Sequence, residues 1–84
     1  MILKDYLKDF KPIRNCEGII AYEFKRGYSY KQDKIYYNLF RLCLTKLSYE
    51  VIDKHYYKFI DNDCIIWFSG LSITINNLKE VKND

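Results

Sequence analysis

From Asp33 to Leu47 apolar residues recur every three or four positions: Ile35, Leu39, Leu42, Cys43 and Leu47 share one helical face, and Tyr36, Phe40 and Leu44 widen it. Val is absent from this segment and Thr occurs once, which favours helix over strand. A stripe that broad needs cover from more than one side, so the segment is predicted to be the central helix of the fold. A chain of 84 residues has room for one core only, so every other element must lay its apolar side toward that helix. Residues 1–84 are therefore read as a single compact domain.

The flanking segments divide by period. Ile2, Leu3, Tyr6, Leu7 and Phe10 fall on one helical face opposite Lys4, Asp5, Lys8 and Asp9, and Pro12 stops that helix at Lys11. Gly18 to Lys25 alternates as a strand, with Ile20, Tyr22 and Phe24 facing one way. Tyr49 to Ile60 reads in two ways. Helical spacing gathers Ile52, Tyr56, Phe59 and Ile60 behind a Ser48 cap, which tips the reading to helix. The same residues have good strand composition, and as a strand they would form a hairpin with the Cys64 to Phe68 segment through Asp61-Asn62-Asp63. Cys64 to Phe68 is an unbroken apolar run, expected as a strand buried on both faces. Beyond Gly70, Leu71, Ile73 and Ile75 alternate with polar residues as a half-exposed antiparallel partner, and Lys79 to Asp84 reads as a polar tail. The sum is an α+β domain: a small antiparallel sheet of about three strands packed against two or three helices.

Composition narrows compartment and chemistry. Nine Tyr, five Phe and Trp67 stand against one Ala, so aromatic bulk must build the core. Cys16, Cys43 and Cys64 are odd in number and show no paired spacing, as expected of buried thiols in a reducing compartment. The charged start, Lys4-Asp5, does not suit a signal peptide, and no apolar run approaches a membrane span, so a cytoplasmic protein with no membrane partner is expected. Lys, Ile, Asn and Tyr make 37 of the 84 residues while Ala, Gly, Pro and Arg make eight, a bias that points to an AT-rich genome.

No enzyme is expected. The single histidine, His55, would need an exposed thiol of lowered pKa to form a nucleophile pair, and all three cysteines lie in or beside apolar segments. Asp61-Asn62-Asp63 could offer oxygen ligands to a hard cation, but the same residues are turn formers and no further acidic ligands are near in the chain. The three glycines never cluster into a phosphate loop, and zinc spacing is absent. Neither cofactor nor metal is expected.

Binding is the reading that remains. Lys25 to Tyr37 holds Lys25, Arg26, Lys31 and Lys34 against Asp33 alone, which is the whole net charge of +3, with Tyr28, Tyr30, Tyr36 and Tyr37 interleaved. Tyr and Arg are typical anchors of protein interfaces, so Lys25, Arg26, Tyr28, Tyr30, Lys31 and Lys34 are the expected partner-binding residues. A solvated loop whose tyrosines lean on the next helix would explain the same residues. The expected function is a non-enzymatic protein-binding module. Its size and coding bias suit a phage-encoded inhibitor of a host nucleic-acid-processing complex, an anti-CRISPR-like role whose partner is a host protein or ribonucleoprotein complex. The alternative is an RNA- or single-stranded-DNA-binding protein in which the basic groups track phosphate and the tyrosines stack on bases. A homodimer through exposed tyrosines, or through Leu71 to Asn76 as an edge strand, is the third partner considered.

Overall fold

A computed structural model describes residues 1–27 and 29–76. The expected contact residue Tyr28, Asn77 and the expected polar tail at Lys79 to Asp84 lie outside the described residues. The chain runs η1 (Lys4–Asp9, a 3-10 helix), β1 (Lys11–Asn15), β2 (Gly18–Lys25), α1 (Tyr30–Lys46), β3 (Ser48–Asp53), β4 (Tyr56–Ile60), β5 (Ile65–Phe68) and β6 (Ser72–Asn76). All strands join one six-stranded sheet in the order β1-β2-β6-β5-β4-β3, every neighbouring pair antiparallel. Four antiparallel steps separate β2 from β3, so the two run parallel and α1 is the crossover that carries the chain across the sheet.

This corrects the expected architecture of three strands and two or three helices. Only α1 is an α-helix among the described residues. Its Ser29 cap, whose Oγ accepts from the Gln32 N–H at 3.1 Å, starts it three residues ahead of the expected beginning at Asp33. Tyr49 to Ile60 is two strands and not a helix. Val51, Ile52 and the aromatic residues favour extended backbone, and a two-residue loop at Lys54-His55 folds β4 back between β3 and β5. The Asp61-Asn62-Asp63 hairpin forms as the strand alternative required. The N-terminal segment keeps its apolar contacts, with Leu3 and Phe10 buried, but winds with three-residue bonds such as Phe10 N–H to Leu7 C=O. β1 had no apolar alternation to announce it. It is an exposed edge strand, where Pro12 is tolerated for want of an N–H.

The pairing sets two rows toward α1: Pro12-Tyr22-Ile75-Ile66-Phe59-Tyr49, and Phe24-Ile73-Phe68-Tyr57-Val51. Phe59, Phe68, Ile66, Ile73 and Ile75 are fully buried there with Leu39 and Cys43 of α1 and Leu3 of the N-terminal segment. Each such side chain contributes roughly 1.5–3 kcal/mol by leaving water. Phe40 drives its ring between Phe59 and Phe68, at centroid distances of 5.9 and 5.2 Å with edge-on geometry.

The opposite face carries Lys11-Glu23-Thr74-Trp67-Lys58-Glu50 and Ile13-Ala21-Asn76-Ile65-Ile60-Ser48, and no element among the described residues covers it. The run from Cys64 to Phe68 is thus not buried on both faces. Ile66 and Phe68 enter the core, while Ile65 and Trp67 are half-buried on the open side. β6 lies at the centre of the sheet, so the edge-strand dimer expected at Leu71 to Asn76 has no free edge to use. No helix among the described residues is long and apolar enough to cross a membrane.

Candidate binding site

The C-terminal ends of β2, β3 and β5 and the start of α1 meet at one end of the sheet, because α1 comes directly after β2 and the β3–β4 and β5–β6 loops turn there. Two clefts open at this end. One, of about 470 Å³, is lined by Arg26, Tyr36, Tyr37, Phe40, Lys54, His55, Tyr57 and the Ser69-Gly70-Leu71 loop. The other, of about 620 Å³, lies across Arg26 and includes Lys25, Gly27 and Asp33. Both are the size of a small ligand or an inserted side chain.

Arg26 is the partition between them. Its Nε donates to Asp33 Oδ1 at 2.9 Å, one Nη donates to the Gly70 carbonyl at 2.8 Å, and its own backbone N–H donates to the Leu71 carbonyl at 2.8 Å. The guanidinium lies 5.1 and 4.8 Å from the ring centroids of Tyr36 and Tyr37. The Asp33 carboxylate raises the Arg26 pKa above its ordinary value. Tyr36 is buried and its hydroxyl accepts the Gly70 N–H at 2.8 Å; burial raises its pKa, partly opposed by that hydrogen bond and by Arg26. Gly70, at φ +92, holds the first central position of the two-residue loop closed by Ser69 N–H to Ser72 C=O, a place that favours glycine.

The expected contact residues are therefore split. Arg26 is turned inward as a clamp joining β2, α1 and the β5–β6 loop, with its charge matched by Asp33. Lys25, Tyr30, Lys31 and Lys34 stay exposed. Tyr30, Lys34, Tyr37 and Arg41 stand three and four residues apart on the solvent side of α1, and Tyr37 carries that stripe into the first cleft. No family model, curated protein or solved structure matches this chain.

Sequence reasoning missed Lys54, His55 and Leu71. The first two were hidden by the helical reading of Tyr49 to Ile60; Leu71 was placed in alternation with Ile73, whereas it is a loop residue 75% exposed. The cysteines resolve in two ways. Cys43 and Cys64 are buried, and burial pushes both thiols up to about 12, so neither is a thiolate at neutral pH. Cys16 is exposed, contrary to expectation, because it sits in the β1–β2 turn, where Asn15 Oδ1 accepts from the Glu17 N–H. That turn and His55 occupy opposite edges and opposite ends of the sheet, and the length of β4 separates His55 from Cys64. No cysteine of these two can pair with the histidine.

The Asp61-Asn62-Asp63 carboxylates lie beside Cys64, with ligand atoms within 4.8 Å of one another. Asp61 is engaged as a turn and an anchor: its Oδ1 accepts from the Asn62 N–H at 2.7 Å and its Oδ2 from the Ile2 N–H at 2.8 Å, whereas Asp63 Oδ2 faces the N-terminal ammonium at 3.4 Å and its buried Oδ1 has no hydrogen-bond partner among the described residues.

Proposed function

We propose that this chain is a non-enzymatic binding module that seats the loop-and-helix end of its sheet on an acidic surface of a protein partner. The supporting observation is the exposure of Tyr30 and Leu71, 81% and 75%, at the end of the sheet that also carries Lys25 and Lys54 and the start of α1 with Lys31 and Lys34. They are the two most exposed large apolar side chains among the described residues, and both frame the same end of the molecule. Apolar anchors ringed by Lys25, Lys31, Lys34 and Lys54 suit a partner with an apolar socket inside an acidic rim. A cytoplasmic, phage-encoded inhibitor that occupies a host protein or ribonucleoprotein complex, in the anti-CRISPR-like manner, would use such a surface.

Nucleic acid is the competing reading, because the same lysines lie beside Tyr30 and Tyr37. Arg26 Nε and one Nη are already taken by Asp33 and the Gly70 carbonyl, which occupies part of the best phosphate-binding fork and weighs against it. The test is a tagged pull-down from host lysate in nuclease-treated and untreated halves, and then titration of the recovered partner. Tyr30→Ala and Leu71→Ser should each weaken binding by about tenfold or more, and Lys31→Ala or Lys34→Ala by less than about fivefold. Retention that collapses after nuclease treatment, or affinity that falls with salt by about one log-log unit per lysine, refutes the protein-binding reading in favour of nucleic acid.

A further inference from the structure

We propose that the face of the sheet that no described element covers is a homodimer interface, two copies meeting face to face about a two-fold axis that runs along the strands between β6 and β5. The basis is the charge order of one register row. Reading across the sheet from β1 to β3, it is Lys11, Glu23, Thr74, Trp67, Lys58, Glu50. The order is antisymmetric: a positive end answers a negative end, a negative second place answers a positive fifth, and two uncharged residues meet in the middle. A two-fold axis along the strands reverses the row in the facing copy. Lys11 then lies over Glu50 of the other copy, Glu23 over Lys58, and Thr74 over Trp67, so every charge meets its opposite.

The neighbouring row makes one apolar match at its second and fifth places and sets a polar group against an isoleucine at the others. Reversal sets Ala21 over Ile60, Asn76 over Ile65 and Ile13 over Ser48. Ile60 and Ile13 are 46% and 37% exposed, apolar surface that the fold leaves in water. Trp67 is flanked by Tyr56 at 5.4 Å, and Lys58 Nζ lies 5.5 Å from its ring centroid, from which the flexible Lys58 chain would swing to reach Glu23 of the second copy. Sheets pack about 10 Å apart, a gap that Lys and Glu can bridge from opposite sides. Within one copy Lys11 stands opposite Glu23 and Lys58 opposite Glu50, and the two-fold axis gives each of these charges a second opposite partner. Glu23 and Lys58 are three strands apart in one copy, roughly 14 Å at about 4.8 Å per strand, beyond the reach of a direct pair. A surface that matches itself through a two-fold axis is what an isologous dimer requires.

The experiment is sedimentation equilibrium of the full chain from about 1 µM to about 1 mM, the span of weak to moderate interfaces, with acrylamide quenching of Trp67 measured over the same range. The expected result is a reversible dimer in which quenching falls as concentration rises. Lys58→Glu sets like charges against Glu23 at both symmetry-related contacts and should raise the dissociation constant by about tenfold or more. Adding Glu23→Lys restores the antisymmetric order and should bring it back to within about threefold. Circular dichroism melts establish that both variants are folded. A chain that stays monomeric throughout, a Lys58→Glu protein that associates like the parent, or a double variant no better than the single one overturns the proposal. These outcomes leave the reading of the loop-and-helix end untouched, since no residue of that end is changed.

Discussion

Replacing Tyr36 by Phe removes one atom from the centre of the candidate site. The hydroxyl is buried, accepts the Gly70 N–H at 2.8 Å, and has no other role in the core, since the ring stays against Phe68 at 5.5 Å. The loss has two parts: a net hydrogen bond, and an amide donor left without its partner in a partly buried loop. Together they cost about 1–2 kcal/mol. For a domain of 84 residues this corresponds to a fall in Tm of roughly 5–12 °C. Urea denaturation gives the free energy, and amide exchange at Gly70 gives the location, because that N–H should lose protection beyond the global change. Tyr37→Phe is the internal control. Its ring also lies beneath Arg26, but its hydroxyl forms no hydrogen bond among the described residues, so its stability should stay within about 0.5 kcal/mol of the parent. Equal effects from the two substitutions, or a Tyr36→Phe protein as stable as the parent, would refute the assignment of Tyr36 as the support of the loop.

Gly70→Ala should cost about 1–2 kcal/mol from the positive φ alone, with the new methyl only 3.4 Å from His55 Cβ; an unchanged urea midpoint would show that the loop can relax. In the native protein one thiol, Cys16, should react with a disulfide reagent within minutes and Cys43 and Cys64 only on unfolding; three fast thiols would contradict the packing. The two buried thiols also set a pH dependence. Their folded values of about 12 stand above the ordinary value of 9.0, so the folded state holds those protons more tightly than the unfolded chain. Their stabilisation is complete below pH 9.0 and is lost as pH rises toward about 12, with the raised Tyr36 acting in the same direction, so the urea midpoint should decline through that window and a flat midpoint would disprove it.

What could be read in the chain came from strong local periodicity. The stripe from Ile35 to Leu47 needs no tertiary partner to be recognised, and Ile73 and Ile75 alternate cleanly because one side of β6 is core and the other is open. β1 was illegible because an edge strand held by backbone pairing alone need carry no apolar pattern: Lys11 to Asn15 is exposed throughout. Tyr49 to Ile60 misled because Ile52, Tyr56, Phe59 and Ile60 do fall on one helical face, yet only Phe59 of these is buried. Pairing with β5 decides the issue, a non-local term that a window of residues does not contain. The site was legible in composition and not in geometry. Lys25 to Tyr37 was found by charge and aromatic content, but Asp33 was counted there as one stray acid, and nothing local says that it would turn Arg26 inward.

In the proposed dimer the two surfaces are geometrically coupled. A two-fold axis parallel to the strands leaves strand direction unchanged in the second copy, so both copies present their loop-and-helix ends the same way, with the two α1 helices on the outer faces. Tyr30 and Leu71 of each copy then lie on one side of a double layer, and a partner with repeated acidic sockets could engage both at once. Linked sites gain avidity through effective concentration without any new contact, and that gain vanishes when the link is broken. The charge row and the exposed anchors thus favour the same class of target, one that offers its binding surface more than once. A monomer would meet such a target with one end alone, and the charges of Lys11, Glu23, Lys58 and Glu50 would then act only as the cross-strand pairs Lys11–Glu23 and Lys58–Glu50.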